Sequence, residues 1–456
     1  MHATNVAERL RSRVSTVLAD FTEWLDSYGE TSWDHQSFYA GAYGMGAKAL
    51  YYRQPILGTA AVAPIIFFEA FVPPARRLFH HPIRFPIADA HYAMGFAFLY
   101  QATSNPAHLE KAIHFLNVLK ETRSPQCKEY CWGYPFDWVT RNGVIKQQTP
   151  LITTTPYVYE AFLQVYQIVE RQKEADEPLT LTLSPKEGRG EPLTLSGPEL
   201  RRILESIARH AANDIKDFRT SETASSCSYT PFGEDGVINA AAYRAFLLTS
   251  ASKVFSRDDY WKIAERNLNF VLEAQNPDGS WFYAVDGVRD FVDHYHSCFV
   301  MKALAKIHAL TGHKACKEAL ARGVGYYLEN LFAEDGLPKP FSNAPRLTVY
   351  KRELYDCAEC INLCLLLRDR FPQLETTLEG VIGAILKDWI KPDGSFRSRQ
   401  LLLGWDNVPM HRWGQAQMFR SFAYYLREAS KHRYQKSDIS DQKAALGSQR
   451  AEFIGK

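Results

Sequence analysis

The sequence predicts an all-α protein, an (α/α)6-type toroid of helical hairpins with six or seven helix pairs. Three observations carry this. Period-2 runs of Val, Ile and Thr hardly occur, whereas apolar residues recur at i, i+3 and i+4 along most of the chain. Asp-Gly turns punctuate the helical stretches at Asp235-Gly236, Asp278-Gly279, Asp335-Gly336 and Asp393-Gly394, with a related Asn142-Gly143 earlier. These four are 43, 57 and 58 residues apart, and a near-fixed period of that length means stacked supersecondary units. Lastly, aromatics are 13% of the 456 residues, and many cluster in the loops that follow those turns. A closed ring lets every hairpin bury both sides and leaves one end of the inner helices as a funnel.

The elements follow in order. The N-terminus, MHATNVAERLRSRV, has no apolar core of signal-peptide type, so a cytoplasmic location is expected. Two units without Asp-Gly end in helices near Phe38–Tyr51 and Asp89–Tyr100. Between them, Ile56 to Val72 is apolar apart from Thr59 and Glu69, with Pro64 in its middle. It is short for a spanning helix and carries a carboxylate. A buried helix or pair of segments is expected there, and peripheral attachment to the inner face of a membrane is the alternative. Helical patterns then run over Tyr157–Ile168, Leu200–Ile215, Ala240–Val254, Tyr260–Ala274, Phe299–Leu310, Ala315–Leu331, Cys357–Leu367 and Ala416–Leu426. Residues 173–198 have no helical period and echo Glu-Pro-Leu-Thr-Leu internally, which reads as a flexible insertion. The toroid is expected to occupy 1–428, and 429–456 to form a polar tail.

Composition excludes several classes. With 53 Lys+Arg against 51 Asp+Glu and no basic cluster, nucleic acid is not an expected partner. Eight cysteines without an export signal read as reduced thiols. Cys357, Cys360 and Cys364 share one helix face and read as core; Cys127 and Cys131 lack a second Cys/His pair with knuckle spacing. There is no phosphate-binding glycine loop, dinucleotide fingerprint, Gly-x-Ser-x-Gly elbow or His-Glu-x-x-His. No metal and no cofactor is expected.

Polar clusters at the starts of inner helices face the funnel, where positively polarised helix N-termini also point. Asp293, His294 and His296 precede the run from Phe299, able to exchange protons, to cap the helix or, as the lesser alternative, to bind a metal. Trp405, Asp406, His411, Arg412, Trp413 and Gln415 precede the last helix. Trp132, Asp137, Trp138 and Arg141 precede the run from Tyr157. Arg352, Glu353, Tyr355 and Asp356 open another unit, and the N-terminal units supply His35 and His91. His296, His411, Tyr355, Asp356, Asp293, Glu353 and Asp406 are the acid/base candidates. The aromatics would stack sugar faces, and Arg141, Arg352 or Arg412 would hold an acidic group.

Gln275–Trp281 (QNPDGSW) resembles the Gln…Gly-x-Trp repeat of triterpene cyclases and protein prenyltransferases. The stretch Asp293–Phe299 resembles the segment that carries a zinc-ligand histidine in prenyltransferase β subunits, which would map to His296. Asp356-Cys357-Ala358-Glu359 resembles the acidic motif of oxidosqualene cyclases. A second resemblance spans more of the chain. Trp132–Trp138 (WGYPFDW), Asp293–Leu304 (DHYHSCFVMKAL) and Asp406–Phe419 (DNVPMHRWGQAQMF) are similar in order to bacterial proteins linked with surface-polysaccharide biosynthesis. Their toroid is similar to those of uronate epimerases, polysaccharide lyases and six-hairpin glycosidases. The resemblance implies a carbohydrate-active enzyme on a surface polysaccharide or its precursor, working beside partners of that biosynthesis system. The alternatives are an isoprenoid-processing enzyme of the cyclase/prenyltransferase type and a non-catalytic toroid that binds a glycan or protein. Arg and His among the loop aromatics favour the glycan.

Overall fold

The computed structural model describes residues 2–174, 195–233, 236–345 and 348–431. In chain order the helices are α1 (His2–Tyr28), α2 (Ser37–Ala40), α3 (Ala42–Arg53), α4 (Pro55–Phe71), α5 (Arg76–Phe79), α6 (Pro86–Thr103), α7 (Pro106–Glu121) and α8 (Thr155–Glu174). They continue with α9 (Gly197–Asn213), α10 (Ile238–Phe255), α11 (Asp258–Glu273), α12 (His294–Thr311), α13 (Lys314–Asn330), α14 (Leu354–Leu367) and α15 (Gln373–Ala384). The last, α16, covers 416–431.

Six helices line the inside of a ring, α6, α8, α10, α12, α14 and α16; α1, α7, α9, α11, α13 and α15 form the outside. The two sets differ in sequence for a physical reason. Outer helices need one apolar stripe, as in α9, which buries Leu200, Ile203, Leu204, Ile207 and Ala211. Inner helices are enclosed on all sides, and α10 is buried from Ile238 to Ser252. Small residues let them approach: a Cβ on Gly95 of α6 would lie 2.6 Å from the Phe419 ring of α16. The ring closes through Phe21 of α1, which packs on Phe396 and Phe419.

The Asp-Gly turns lead from outer to inner helices, and each loop between them lies at one end of the ring. Gly279 has φ +95°, and a Cβ there would sit 2.5 Å from the Arg322 carbonyl of α13. The Gln275 side-chain amide completes the dock, its Nε2 donating to the Ala319 carbonyl at 2.9 Å. Gly394 is seated in the same way, a Cβ there lying 2.7 Å from the Asp20 carbonyl of α1, whereas Gly336 has open space around it.

Two features differ from the sequence expectation. Short antiparallel ladders occupy the loops: β1 (Trp138–Thr140) with β2 (Gly143–Ile145), and β3 (Asp217–Arg219) with β4 (Ser225–Cys227). β5 (Val292–Asp293) pairs with β6 (Phe341–Asn343), and β7 (Tyr350–Glu353), β8 (Arg399–Leu401) and β9 (Trp405–Asp406) make a three-stranded sheet. Such strands are too short to show a period of two. Secondly, the segment near Phe38–Tyr51 is not a ring unit. Helices α2 to α5 form a satellite with its own small core of Phe38, Ala47, Ile65 and Ala75. The apolar stretch becomes α4, and its expected burial fails along one side. Ile56 is 88% and Leu57 60% exposed, and Phe67, Phe71 and Val72 are exposed too. No described helix is long and apolar enough to cross a membrane. Most of the expected insertion (175–194) and tail (432–456) lie outside the described residues; 429–431 continue α16.

Candidate active site

The N-termini of the six inner helices converge at one end of the ring. One to two turns below them, the axis is ionic. Lys302 pairs with Glu359 and Lys306 with Glu160. Arg420 lies 3.2 Å from His91 Nδ1. Burial, with Arg420 and Lys302 nearby, holds the His91 imidazole neutral by lowering its pKa well below the usual value. An aromatic layer covers these ions. His91 packs on Tyr157 at 4.6 Å, and the Tyr157 and Tyr243 hydroxyls share a 2.6 Å hydrogen bond. Phe299 meets Tyr243 at 5.3 Å and Tyr355 at 6.1 Å.

The mouth above is lined by aromatic, imidazole and carboxyl side chains. Tyr355 and Trp413 stack with centroids 4.7 Å apart, and Tyr295 stands edge-on to both. Trp413 donates its Nε1 proton to Glu353 Oε2 at 2.9 Å. His35 stands edge-on to Trp413 at 4.4 Å. Trp413 is placed by a break in the chain before α16, where Gly414 adopts φ +143°. A Cβ there would press on Leu354 Cδ2 at 3.1 Å.

Asp293 does two jobs. Its Oδ1 accepts the His296 backbone N–H at 2.8 Å and caps α12; its Oδ2 meets His296 Nδ1 at 2.6 Å. A carboxylate only accepts, so Nδ1 carries the proton, and in that neutral tautomer Nε2 presents its lone pair. The His296 side chain is 19% exposed while Asp293 is fully buried, so the ring alone reaches the mouth. His296 also packs against Tyr283, Tyr295 and Phe299.

Two further carboxyl groups lie in α14 and its approach. Glu353 is buried, paired with Arg399, and raised in pKa by burial. Asp356 is buried with neither oxygen hydrogen-bonded. Burial, then the charges of Glu353 and Asp293, push its pKa well above the usual carboxylate range. It is held as the neutral acid, a group able to donate a proton.

Of the residues expected from sequence, the structure brings His296, Tyr355, Trp413 and His35 together at the mouth, with Asp293, Glu353 and Asp356 buried behind them and His91 below. Arg412 borders it, sandwiched over Tyr134 at 4.7 Å and bonded through Nε to Asp34 at 2.6 Å. Most of the others are engaged in packing or in local hydrogen bonds. His411 spends both ring nitrogens, Nδ1 on the Tyr92 hydroxyl at 2.6 Å and Nε2 on the Gly29 carbonyl at 3.0 Å. Asp406 is buried against Arg76 at 2.5 Å. His294 bonds the Tyr327 hydroxyl and the Leu331 carbonyl between α12 and α13. Trp132 is buried and donates to the Leu119 carbonyl. Gln415 bonds both backbone groups of Phe396. Trp405 stands against Trp389 under Arg397. Arg352 is engaged by Gln400 and Asp335. Asp137 is bound to Lys146, Trp138 contacts Tyr134 and Tyr229, and Arg141 is exposed at the β1–β2 turn. A depression of about 350 Å³ lies beside that hairpin, lined by Thr140, Lys146, Thr149, Thr230 and Phe232.

Sequence reading missed Tyr295, Tyr243, Phe299 and the axial ion pairs. A signal for the latter existed: Lys302 and Lys306 lie four apart on an otherwise apolar helix.

Ring, funnel and inner-helix N-termini together define the class of this chain, an (α/α)6 toroid. Known structures agree. A cellobiose 2-epimerase from Bacillus thermoamylovorans superposes with TM-score 0.53 at 10% identity, over 76% of this chain and 88% of that one. An unsaturated glucuronyl hydrolase specific for heparin gives 0.56 at 9%, over 94% and 98%. A GH76A alpha-1,6-mannanase from Salegentibacter gives 0.51 at 11%, over 76% and 89%. No family profile and no curated protein matches the sequence.

Proposed function

We propose that the protein is a carbohydrate-active enzyme that moves protons on a surface polysaccharide or its precursor, as an epimerase, lyase or glycosidase does. The observation that carries this is a carboxylate-held base, Asp293–His296, beside the Tyr355–Trp413 platform. A flat aromatic face matches the C–H face of a sugar ring. His296 Nε2 takes a proton, and Asp356, neutral in its buried position, returns one. Similar solved structures with an epimerase, a hydrolase and a mannanase among them support the substrate class. Polar groups around the aromatics count against a greasy isoprenoid cavity. Two of the three arginines expected to hold an acidic sugar are matched already, Arg412 by Asp34 and Arg352 by Asp335, and the third, Arg141, is on the exposed β1–β2 turn. This favours a sugar whose reacting ring is neutral. A panel of neutral and uronate oligosaccharides in D2O tests the reading. Turnover that falls with His296→Ala, with deuterium at a sugar carbon for epimerisation or elimination, is expected. A substrate turned over equally well by His296→Ala and Asp356→Asn would sink it.

We infer in addition that the satellite attaches the enzyme to an anionic membrane surface, where polysaccharide precursors are assembled. The support is the exposed apolar row Ile56, Leu57, Phe67, Phe71 and Leu78, the last 87% exposed. Residues 36–82 carry Lys48, Arg53 and Arg77 at partly or fully exposed positions, while Arg76 is buried against Asp406 and the one carboxylate, Glu69, is paired with Arg399. Apolar area and positive charge together suit anionic lipid. Flotation with phosphatidylglycerol vesicles should carry the protein, and Ile56→Ser/Leu57→Ser should release it. Equal flotation of both, or self-association of the unchanged chain without lipid binding, counts against it.

A further inference from the structure

Outside the funnel, the loop after α7 approaches the C-terminal end of α9. There the donor atoms of Cys127, Cys131 and His210 all lie within 4.8 Å of one another. We propose that these three side chains bind a zinc ion that braces the wall of the funnel.

The chemistry fits a borderline-soft cation. Two thiolates and an imidazole are zinc donors, and two thiolate charges neutralise Zn2+, so the complex can sit in a buried place. Tetrahedral Zn–S bonds of about 2.3 Å set S–S separations near 3.8 Å, so a contraction of about 1 Å or less completes the site. The fourth position is free for water on the side of Cys127, which is half-buried while Cys131 and His210 are buried.

His210 supplies the independent sign of a ligand. Its ring is wholly buried, and Nδ1 is bonded to Asp214 Oδ2 at 2.7 Å. Its Nε2 has no hydrogen-bond partner. An unsatisfied buried nitrogen costs about 1–3 kcal/mol, a penalty that a metal bond removes. With Nδ1 held by Asp214, Nε2 is the nitrogen left to a metal, and a carboxylate on one ring nitrogen orients a metal-binding histidine and raises its basicity. In the free protein the same crowding works against the thiolates: burial, with the Asp214 charge beside it, raises the Cys127 thiol.

The support is rigid. Glu129, between the two cysteines, bonds Arg209 at 3.0 Å and Ser206 at 2.6 Å on α9, and the Tyr130 N–H bonds Ser206. The same loop continues to Tyr134, on which Arg412 rests. Zinc here would tie α9 to that wall. Sequence spacing hid the site because His210 lies in another hairpin.

The test uses the full chain, purified under reducing conditions, stripped of metal and titrated with Co2+ and then Zn2+. One equivalent of Co2+ with a thiolate charge-transfer band, displaced by Zn2+, is expected. Cys127→Ser, at the half-exposed position, should abolish the band, and Asp214→Asn should weaken binding about 10–100-fold. A wild-type chain that gives no such band, or a band that survives Cys127→Ser and so arises from other thiols, overturns the proposal. A Cys127–Cys131 disulfide in reduced preparations does so as well. The readout is metal binding, so failure of the glycan reading leaves it standing.

Discussion

Trp413 lies flat on Tyr355, with 8° between the ring planes. The two residues come from different inner-helix approaches, and three neighbours fix the pair: Glu353 on the indole N–H, His35 edge-on to it, and the turn at Gly414.

Gly414→Ala tests that placement. The new methyl meets Leu354 in a backbone conformation that L residues rarely adopt. Such strain costs about 1–3 kcal/mol. Denaturant unfolding should show a loss of that size, and glycan affinity should fall with it. An unchanged midpoint would mean the turn is not fixed as described.

Asp293→Asn separates capping from catalysis. Asparagine caps a helix as well as aspartate does, so thermal stability should barely move. The His296 ring loses its charged partner, and turnover should drop, as it should for His296→Ala, by about 10²–10⁴-fold. A large fall in Tm with unaltered turnover would reverse the assignment.

Arg399 holds two carboxylates, Glu353 and Glu69. Arg399→Leu leaves the buried Glu353 unpaired, at a cost of about 3–5 kcal/mol. Adding Glu353→Gln should restore part of that stability. If the double variant is no better than the single, the pair is not the cause.

His411 makes stability pH-dependent. Burial lowers its pKa to about 4 from an ordinary 6.5. Above pH 6.5 both folded and unfolded rings are neutral, and the residue contributes nothing to the slope. As pH falls towards 4 the unfolded chain takes up a proton that the folded chain refuses, so stability is lost. Between pH 7 and 5 the loss is about 2 kcal/mol. His411→Gln should flatten the difference in urea midpoints between those pH values.

The ring was legible because its causes are local and repeated. Apolar spacing marks the helices, and the Asp-Gly turns mark the passages from outer to inner helices, two of them, at Gly279 and Gly394, seated closely on the next outer helix. Membership of the mouth was legible only in part. His296, Tyr355 and His411 look alike in sequence, each a polar or aromatic residue near the start of an inner helix. One helical residue turns the side chain by about 100°, enough to send His411 towards α1 and Tyr355 towards the axis. The failure at α4 has another source. Hydrophobicity states that a surface avoids water without saying which surface covers it. His210 was invisible for a third reason, since a ligand set spread over two hairpins has no spacing to read.

Ring closure also constrains how the protein is made. Phe21 waits for Phe396 and Phe419, and Arg11 for Ser430, 419 residues away. During synthesis α1 has no permanent neighbour on one side until the ribosome has delivered α16. The nascent chain must carry an open seam for most of its translation, the period in which a chaperone or a protease has its best access.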